Sequence, residues 1–130
     1  MLKYIIITCV LGAIAVLLGA FGSHSLKELL TSEQLDSFMI AVRYHAYYVI
    51  LLLIINTYNR FSEKQKSILS QVFIAGILLF SGSIYLIQLT PVSAKSIWFV
   101  TPLGGLFFVL GWVLLGVFFY KALRIKDLTK

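Results

Sequence analysis

Four long apolar stretches constrain most strongly what this chain can fold into. They cover Lys3–Gly22, Phe38–Tyr58, Ile68–Leu89 and Ile97–Tyr120. An α-helix needs roughly 20 apolar residues to cross about 30 Å of hydrocarbon, and each stretch reaches that length. Charged residues make up only 12% of the chain, about half of what a soluble domain carries. We therefore predict an all-α integral membrane protein, with a single domain over residues 1–130 that is a bundle of four transmembrane helices.

Lysine and arginine collect at one end of such a bundle. Both termini and the second loop share that end, which holds eight basic residues: Lys3, Arg60, Lys64, Lys66, Lys121, Arg124, Lys126 and Lys130. The opposite end holds two, Lys27 and Lys95. Because membrane proteins keep Lys and Arg in their cytoplasmic loops, both termini are predicted to be cytoplasmic, in the cell (plasma) membrane. This bias accounts for the net charge of +6. Membrane lipid is the expected partner, and nucleic acid is not expected.

Three segments carry the pattern of a helix capping box, in which a Ser or Thr and a Glu or Gln satisfy each other's backbone N–H groups. They are Ser25–Glu28, Thr31–Gln34 and Ser62–Gln65. The first predicts a short amphipathic helix on the outer surface between the first two spans. The other two predict the starts of the second and third helices.

The start of the fourth helix can be read in two ways. Thr101 can cap a helix that has Pro102 at its first position, with Ser96–Val100 as an interfacial lead-in. Alternatively, the helix starts near Ile97 and kinks at Pro102. The first interpretation is preferred.

Small residues provide close-packing faces on these helices. Helices in lipid associate where glycine allows two backbones to approach. The glycines predicted to pack against other helices are Gly12, Gly19, Gly22, Gly82, Gly104, Gly105 and Gly111. Such faces can also join separate chains, so a homo-oligomer is predicted.

The polar residues inside the spans fall at similar depths. With a rise of about 1.5 Å per residue, Arg43 lies about 22 Å above Tyr58, and Thr101 lies about 28 Å above Tyr120. The two tyrosines mark the cytoplasmic boundary. The same arithmetic brings a set of polar residues into the outer third of the bilayer: His24, Arg43, His45, Ser81, Ser83, Gln88 and Thr101. This polar layer is the candidate ligand-binding site.

Aromatic residues share the depth of the polar layer. They are Tyr44, Tyr47, Tyr48, Tyr85 and Trp98. An aromatic belt at the outer interface is the first interpretation, and pocket walls are the second.

Arg43 is the most informative residue of the polar layer, because a charged side chain within a span is costly. It can snorkel to the head groups or pair with Asp36, or it can hold an anionic head group or a substrate carboxylate. His24 and His45 alone make a poor metal site, since zinc takes three or four protein ligands, so no metal is predicted. A proton-sensing role for histidine stays open. No motif supports a Ser–His nucleophile pair, so no catalytic residue and no cofactor are predicted.

Several motifs resemble the domain-of-unknown-function 423 family, also called uncharacterised protein family 0382. They are Gly19–Leu26, Ala41–Tyr44, Leu79–Tyr85, Thr101–Gly105 and Gly111–Trp112. The resemblance covers essentially the whole chain. It implies a small four-helix bacterial membrane protein, and it implies no established activity.

One position departs from the family pattern. The family often reads Tyr-Gln-x-x-His in the second helix, whereas this chain has His45 at the glutamine position and Tyr48 at the histidine position. A mechanism that needs the family histidine is therefore in doubt here, unless His45 replaces it from another face of the helix.

Two hypotheses about function follow from the sequence. The first is a non-enzymatic interaction or scaffold protein that self-associates through its glycine-rich faces. The alternative is a lipid-binding or small-anion-binding protein, or a transporter component, that uses the polar layer around Arg43. No motif indicates an enzyme.

Overall fold

The structure, a computed structural model, describes the backbone of residues 2–127 and the side chains of residues 2–124. Within this part the chain forms α1 (Leu2–His24), a one-turn 3₁₀ helix (Leu26–Glu28), α2 (Ser32–Thr57), α3 (Glu63–Leu89) and α4 (Val100–Asp127). Four of these helices are long and apolar enough to cross a membrane. The predicted fold class, an all-α membrane bundle of four spanning helices, is confirmed.

The helices pack in chain order, α1 on α2, α2 on α3 and α3 on α4, so α2 and α3 form the central pair. We call the end that contains Leu2 and residues 58–62 the terminal end, and the end that contains residues 25–31 and 90–99 the distal end. Aromatic rings dominate the centre of the bundle. Tyr48 of α2 stacks on Phe108 of α4, with ring centroids 3.6 Å apart. The bundle therefore closes around α2 and α3, with α1 and α4 as its outer members.

The capping boxes of α2 and α3 are present as predicted. The Thr31 hydroxyl accepts the Gln34 backbone N–H at 3.3 Å, and the Gln34 side chain accepts the Thr31 N–H at 3.0 Å. Ser62 and Gln65 make the same reciprocal pair at 3.2 and 2.8 Å. Each pair satisfies N–H groups that the first turn of a helix leaves free.

The capping box predicted at Ser25 is wrong. Ser25 has helical dihedral angles, and its side chain makes no capping hydrogen bond. A capping residue needs an extended backbone to turn its hydroxyl toward the following N–H groups. Ser25 instead donates its backbone N–H to the Phe21 carbonyl at 2.9 Å, which prolongs the last turn of α1. The predicted surface helix is reduced to the single turn Leu26–Glu28, and Leu26 is buried.

The fourth helix begins at Val100, between the two predicted positions. Pro102 lies in its first turn, where a missing N–H costs no intrahelical bond, so no kink is required. The Thr101 hydroxyl contacts Ser83 rather than capping the helix. Thr101 as the helix cap is therefore a wrong prediction.

Glycine brings α3 and α4 into close contact. A Cβ added to Gly104 would lie 2.7 Å from both the Leu79 carbonyl carbon and the Phe80 Cα. These are backbone atoms, so the two helices themselves would have to separate. A Cβ added to Gly111 would lie 2.5 Å from the Phe73 ring. Gly104 and Gly111 thus set the spacing between these helices.

Glycine also lines the contact between α1 and α2. A Cβ added on α1 would lie 2.9 to 3.4 Å from α2 side chains at three positions: Gly12 against Val49, Gly19 against Val42, and Gly22 against Phe38 and Met39. By contrast, Gly105 has nothing within 4 Å of its added Cβ, and Gly82 has only a backbone oxygen at 4.0 Å. The packing contacts predicted for Gly82 and Gly105 are therefore missing within the described chain.

Candidate functional site

The hydroxyls of the polar layer join helices to each other. Ser81 is fully buried and donates to the Ala41 carbonyl of α2 at 2.8 Å. Ser83 lies 2.6 Å from the Thr101 hydroxyl of α4 and 2.9 Å from the Phe80 carbonyl. Since a free hydroxyl in an apolar interior is costly, these bonds stabilise α3 between its two neighbours. The structure places Ser81, Ser83 and Thr101 in helix packing rather than around a shared pocket.

The two histidines of the layer lie in different environments. His24 is exposed at the last position of α1, whereas His45 is buried in α2. Gln88 is half-buried near the end of α3. Among residues 2–124 no group of three His, Cys, Asp or Glu side chains is close enough to share a metal ion.

His45 forms a buried polar pair with Tyr85 of α3. The ring is 3% exposed, and its Nδ1 lies 3.3 Å from the Tyr85 hydroxyl. Its Nε2 is buried, with no hydrogen-bond partner among the described residues. A cavity of about 150 Å³ adjoins this pair, with walls from three helices: Leu11, Ile14, Leu18, His45, Ile77, Leu78, Gly82 and Tyr85.

Tyr48, at the position of the family histidine, faces another helix. Its hydroxyl accepts the indole N–H of Trp112 at 3.2 Å, and its ring stacks on Phe108. His45 contacts Tyr85 instead. His45 and Tyr48 therefore lie in different environments, on different faces of α2.

Arg43 is exposed on the outside of the bundle. Its Nε donates to the Met39 carbonyl at 3.3 Å, one turn toward the distal end. This bond to its own helix takes the place of the anticipated pairing with Asp36, which is itself exposed. The side chain thus points its guanidinium toward the distal surface, as a snorkelling arginine does.

A groove of about 430 Å³ runs between α2 and α4. Its walls are mostly aromatic and aliphatic: Tyr44, Tyr47, Tyr48, Ile50, Leu51, Ile54 and Trp112. Tyr44 and Tyr47 are exposed, as is Trp112. Tyr44, Tyr47 and Tyr48 all line this groove, so the interpretation of these aromatic residues as pocket walls describes their position.

Arg43 and the groove share one side of α2. Residues four, seven and eleven positions apart lie on the same helix face. Tyr47, Ile50 and Ile54 stand at those distances from Arg43 and line the groove. A cation therefore lies at the distal end of an apolar groove, next to Tyr44.

A polar network at the terminal end was missed at the level of sequence. The Tyr4 hydroxyl of α1 lies 2.9 Å from the Ser67 hydroxyl and accepts from the Gln71 amide at 3.0 Å, both on α3. Asn56 of α2 donates to Ser70 at 2.9 Å. The sequence does indicate that these polar residues lie at similar depths near the terminal end, which is the signal that could have predicted their contacts.

Comparison with known proteins places the chain among membrane proteins. A family model described as a protein of unknown function (DUF423) matches residues 18–105. A UPF0382 membrane protein of Staphylococcus aureus is 32% identical over 118 residues, which cover 91% of this chain and 95% of that protein. The UPF0382 membrane protein YwdK of Bacillus subtilis is 33% identical over 119 residues, covering 88% and 93% of the two chains.

The name of a third relative also states which membrane it occupies. The UPF0382 inner membrane protein YgdD of Escherichia coli is 34% identical over 124 residues, which cover 94% of this chain and 90% of that protein. No solved structure matches the chain. The relatives are named as membrane proteins, and the family description states no activity. The chain belongs to the DUF423 family of membrane proteins of unknown function.

Proposed function

We propose that this protein binds an anionic phospholipid, with the phosphate at Arg43 and an acyl chain in the α2–α4 groove. The observation that carries the proposal is the alignment of Arg43 with the groove wall on one face of α2. An exposed cation above an apolar groove matches the two chemical parts of a phospholipid, a charged head and a hydrocarbon chain.

The depth of Arg43 suits a lipid phosphate. Arg43 lies about 22 Å above Tyr58, which leaves about 8 Å to the distal edge of a ~30 Å hydrocarbon core. A long side chain that bends toward the surface covers that distance. Nε is used by the Met39 carbonyl, so the two terminal nitrogens are available to the fork of a phosphate.

The groove favours a lipid over a free anion. Its walls are apolar side chains that a soluble phosphate would not contact, whereas an acyl chain would bury against them. The exposed tyrosines Tyr44 and Tyr47 line the groove next to Arg43 and present aromatic surface to an acyl chain.

Native mass spectrometry of the protein in detergent, with equal amounts of phosphatidylglycerol and phosphatidylcholine, tests the proposal. Wild type should retain phosphatidylglycerol preferentially. One basic residue near a membrane surface contributes about 1 kcal/mol toward an anionic lipid, so Arg43→Gln should reduce the preference roughly fivefold. Lys95→Gln removes an exposed charge at the same end, away from the groove, and should leave the preference unchanged.

Two further measurements distinguish binding of the lipid head group from binding of its acyl chain. Ile50→Trp fills the groove and should weaken retention of both lipids, whereas soluble glycerol phosphate should not compete. If Arg43→Gln retains phosphatidylglycerol as well as wild type does, the proposal is wrong.

Self-association is a second candidate function, and one feature of α4 favours it. Gly105 and Gly116 have nothing within 4 Å of an added Cβ. They are eleven residues apart, so they share a helix face with Trp112. Most of the other glycines suggested for self-association contact helices of the same chain. A dimer in lipid nanodiscs that dissociates in Gly105→Leu would support this function, and a monomeric wild type would contradict it.

We also propose that both termini are cytoplasmic and that Arg43 lies in the outer-leaflet half of the cell membrane. The proposal rests on the excess of Lys and Arg at the terminal end. In a Cys9→Ser background, a membrane-impermeant maleimide added to whole cells should label Lys27→Cys and not Arg60→Cys. The reverse labelling would refute this orientation.

A further inference from the structure

A second apolar groove runs between α1 and α2, along the side of α2 that does not face α4. Its volume is about 450 Å³. Val16 of α1 and Ile50 of α2 are exposed at its walls, whereas Ala15 and Val49 are buried beneath them. The small side chains of α1 and α2 thus leave a trough that opens to lipid. Together with the α2–α4 groove, it gives α2 an apolar groove along each side.

The two grooves meet below Arg43. Ile50 lines both of them, and with about 100° of turn per residue it lies within about 20° of Arg43 on the face of α2. Ala46, in the α1–α2 groove, lies about 60° to one side of Arg43. Tyr47, in the α2–α4 groove, lies about 40° to the other side. Arg43 therefore stands above the ridge that separates the two grooves.

The depth of the α1–α2 groove matches that of its neighbour. With a rise of about 1.5 Å per residue, Arg43 lies about 22 Å above Tyr58, Ala46 about 18 Å and Ile50 about 12 Å. Both grooves thus run from just below the guanidinium to the middle of a ~30 Å hydrocarbon core. The acyl chains of a lipid extend from its head group in this same direction.

We propose that one diacyl phospholipid binds across α2, with its phosphate at Arg43 and one acyl chain in each groove. The α1–α2 groove is then the site of the second chain. This inference rests on the proposed phospholipid site and extends it from one chain to two. A single cation above the ridge between two grooves favours two chains of one molecule over two separate lipids, since each separate lipid would need its own partner for a head group.

A phosphatidylglycerol with a photoreactive diazirine in each acyl chain tests whether one molecule occupies both grooves. Trypsin cuts after Lys and Arg, which leaves Val16 in a peptide of residues 4–27 and Trp112 in a peptide of residues 96–121. After irradiation in micelles, the monomeric band of wild type should yield these two peptides joined through one lipid. Two separate lipids would give single adducts and no joined product. That result would overturn the inference and leave the α2–α4 site intact.

Ala46 permits a variant that fills the α1–α2 groove alone. It lines that groove and not the other, so Ala46→Phe should reduce the yield of joined peptides at least about fivefold, because a filled groove has no room for a chain. Ala13→Phe adds the same ring at an exposed position of α1 outside the groove, and it should leave the yield unchanged. A yield in Ala46→Phe equal to that of wild type would refute the second site.

The number of acyl chains gives a measurement that separates this inference from the phospholipid site itself. Oleoyl-lysophosphatidylglycerol has the head group of dioleoylphosphatidylglycerol and a single chain. In native mass spectrometry Ala46→Phe should lose most of the wild-type preference for the lipid with two chains and keep the preference for phosphatidylglycerol over phosphatidylcholine. If the head-group preference persists and the chain-number preference does not change, only the second groove is refuted. Wild type without any head-group preference would refute both proposals.

Discussion

Gly104 and Gly105 are adjacent glycines in α4, and substituting each with alanine should have opposite effects on stability. Both positions are helical, so each substitution gains roughly 1 kcal/mol of helix propensity. They differ in surroundings. An added Cβ meets the α3 backbone at Gly104 and open space at Gly105.

The size of the difference follows from the distances. The Cβ of Gly104→Ala would collide with the Phe80 backbone nitrogen and would lie 2.7 Å from the Leu79 carbonyl carbon and the Phe80 Cα, whereas ordinary contacts begin at 3.4 Å, so the helices must separate by more than about 0.7 Å. Overpacking of this kind costs about 1–3 kcal/mol. The separation would also stretch the 2.6 Å contact between Ser83 and Thr101, one turn away. Gly104→Ala should therefore be less stable than Gly105→Ala by about 1–3 kcal/mol.

Reversible unfolding in mixed micelles, followed by circular dichroism as the fraction of sodium dodecyl sulfate rises, measures this difference directly. Wild type should fall between the two variants or close to Gly104→Ala, because propensity partly offsets the clash. If Gly104→Ala and Gly105→Ala unfold at the same midpoint, the close contact of α3 and α4 at Gly104 is not what limits the helix spacing.

Three further predictions use the same measurements or fluorescence. Ser81→Ala removes the bond to the Ala41 carbonyl and should lower the unfolding free energy by about 0.6 kcal/mol, the average for such bonds in membranes. Tyr4→Phe removes the hydroxyl that joins α1 to α3 and should cost a similar amount; no change would show that this bond contributes nothing. In single-tryptophan variants, lipids brominated deep in the acyl chain should quench Trp112 more than Trp98, and shallow bromines should do the reverse.

The helices and two of their caps could be predicted because their signals are local. Twenty apolar residues or a Thr-x-x-Gln pattern act within one segment, and Thr31 and Ser62 behave accordingly. At Ser25 the same pattern failed, because the backbone of α1 continues through it. A local motif determines a cap only where the preceding chain is free to be extended.

The position of the polar residues along the membrane normal could be predicted, but the direction in which their side chains point could not. Helix rise places Arg43 and His45 at nearly the same height, yet residues two apart point about 200° away from each other. Arg43 therefore faces outward, whereas His45 faces the bundle interior and contacts Tyr85. Uniformly apolar helices carry little information about rotation, so the sequence could not distinguish a hydroxyl between helices from one beside a pocket.

The way α1 is buried bears on how much its sequence can vary. Only Tyr4, Thr8, Ala15 and Gly22 are buried in this helix, and they follow one another at intervals of four and seven residues. The exposed faces of α1 meet lipid, for which any apolar side chain of suitable length serves as well as another. The information that makes α1 specific to this bundle is thus concentrated in a seam that these four residues form together with Gly12 and Gly19. Exchanging one apolar side chain for another outside this seam should leave the helix packed in the same place.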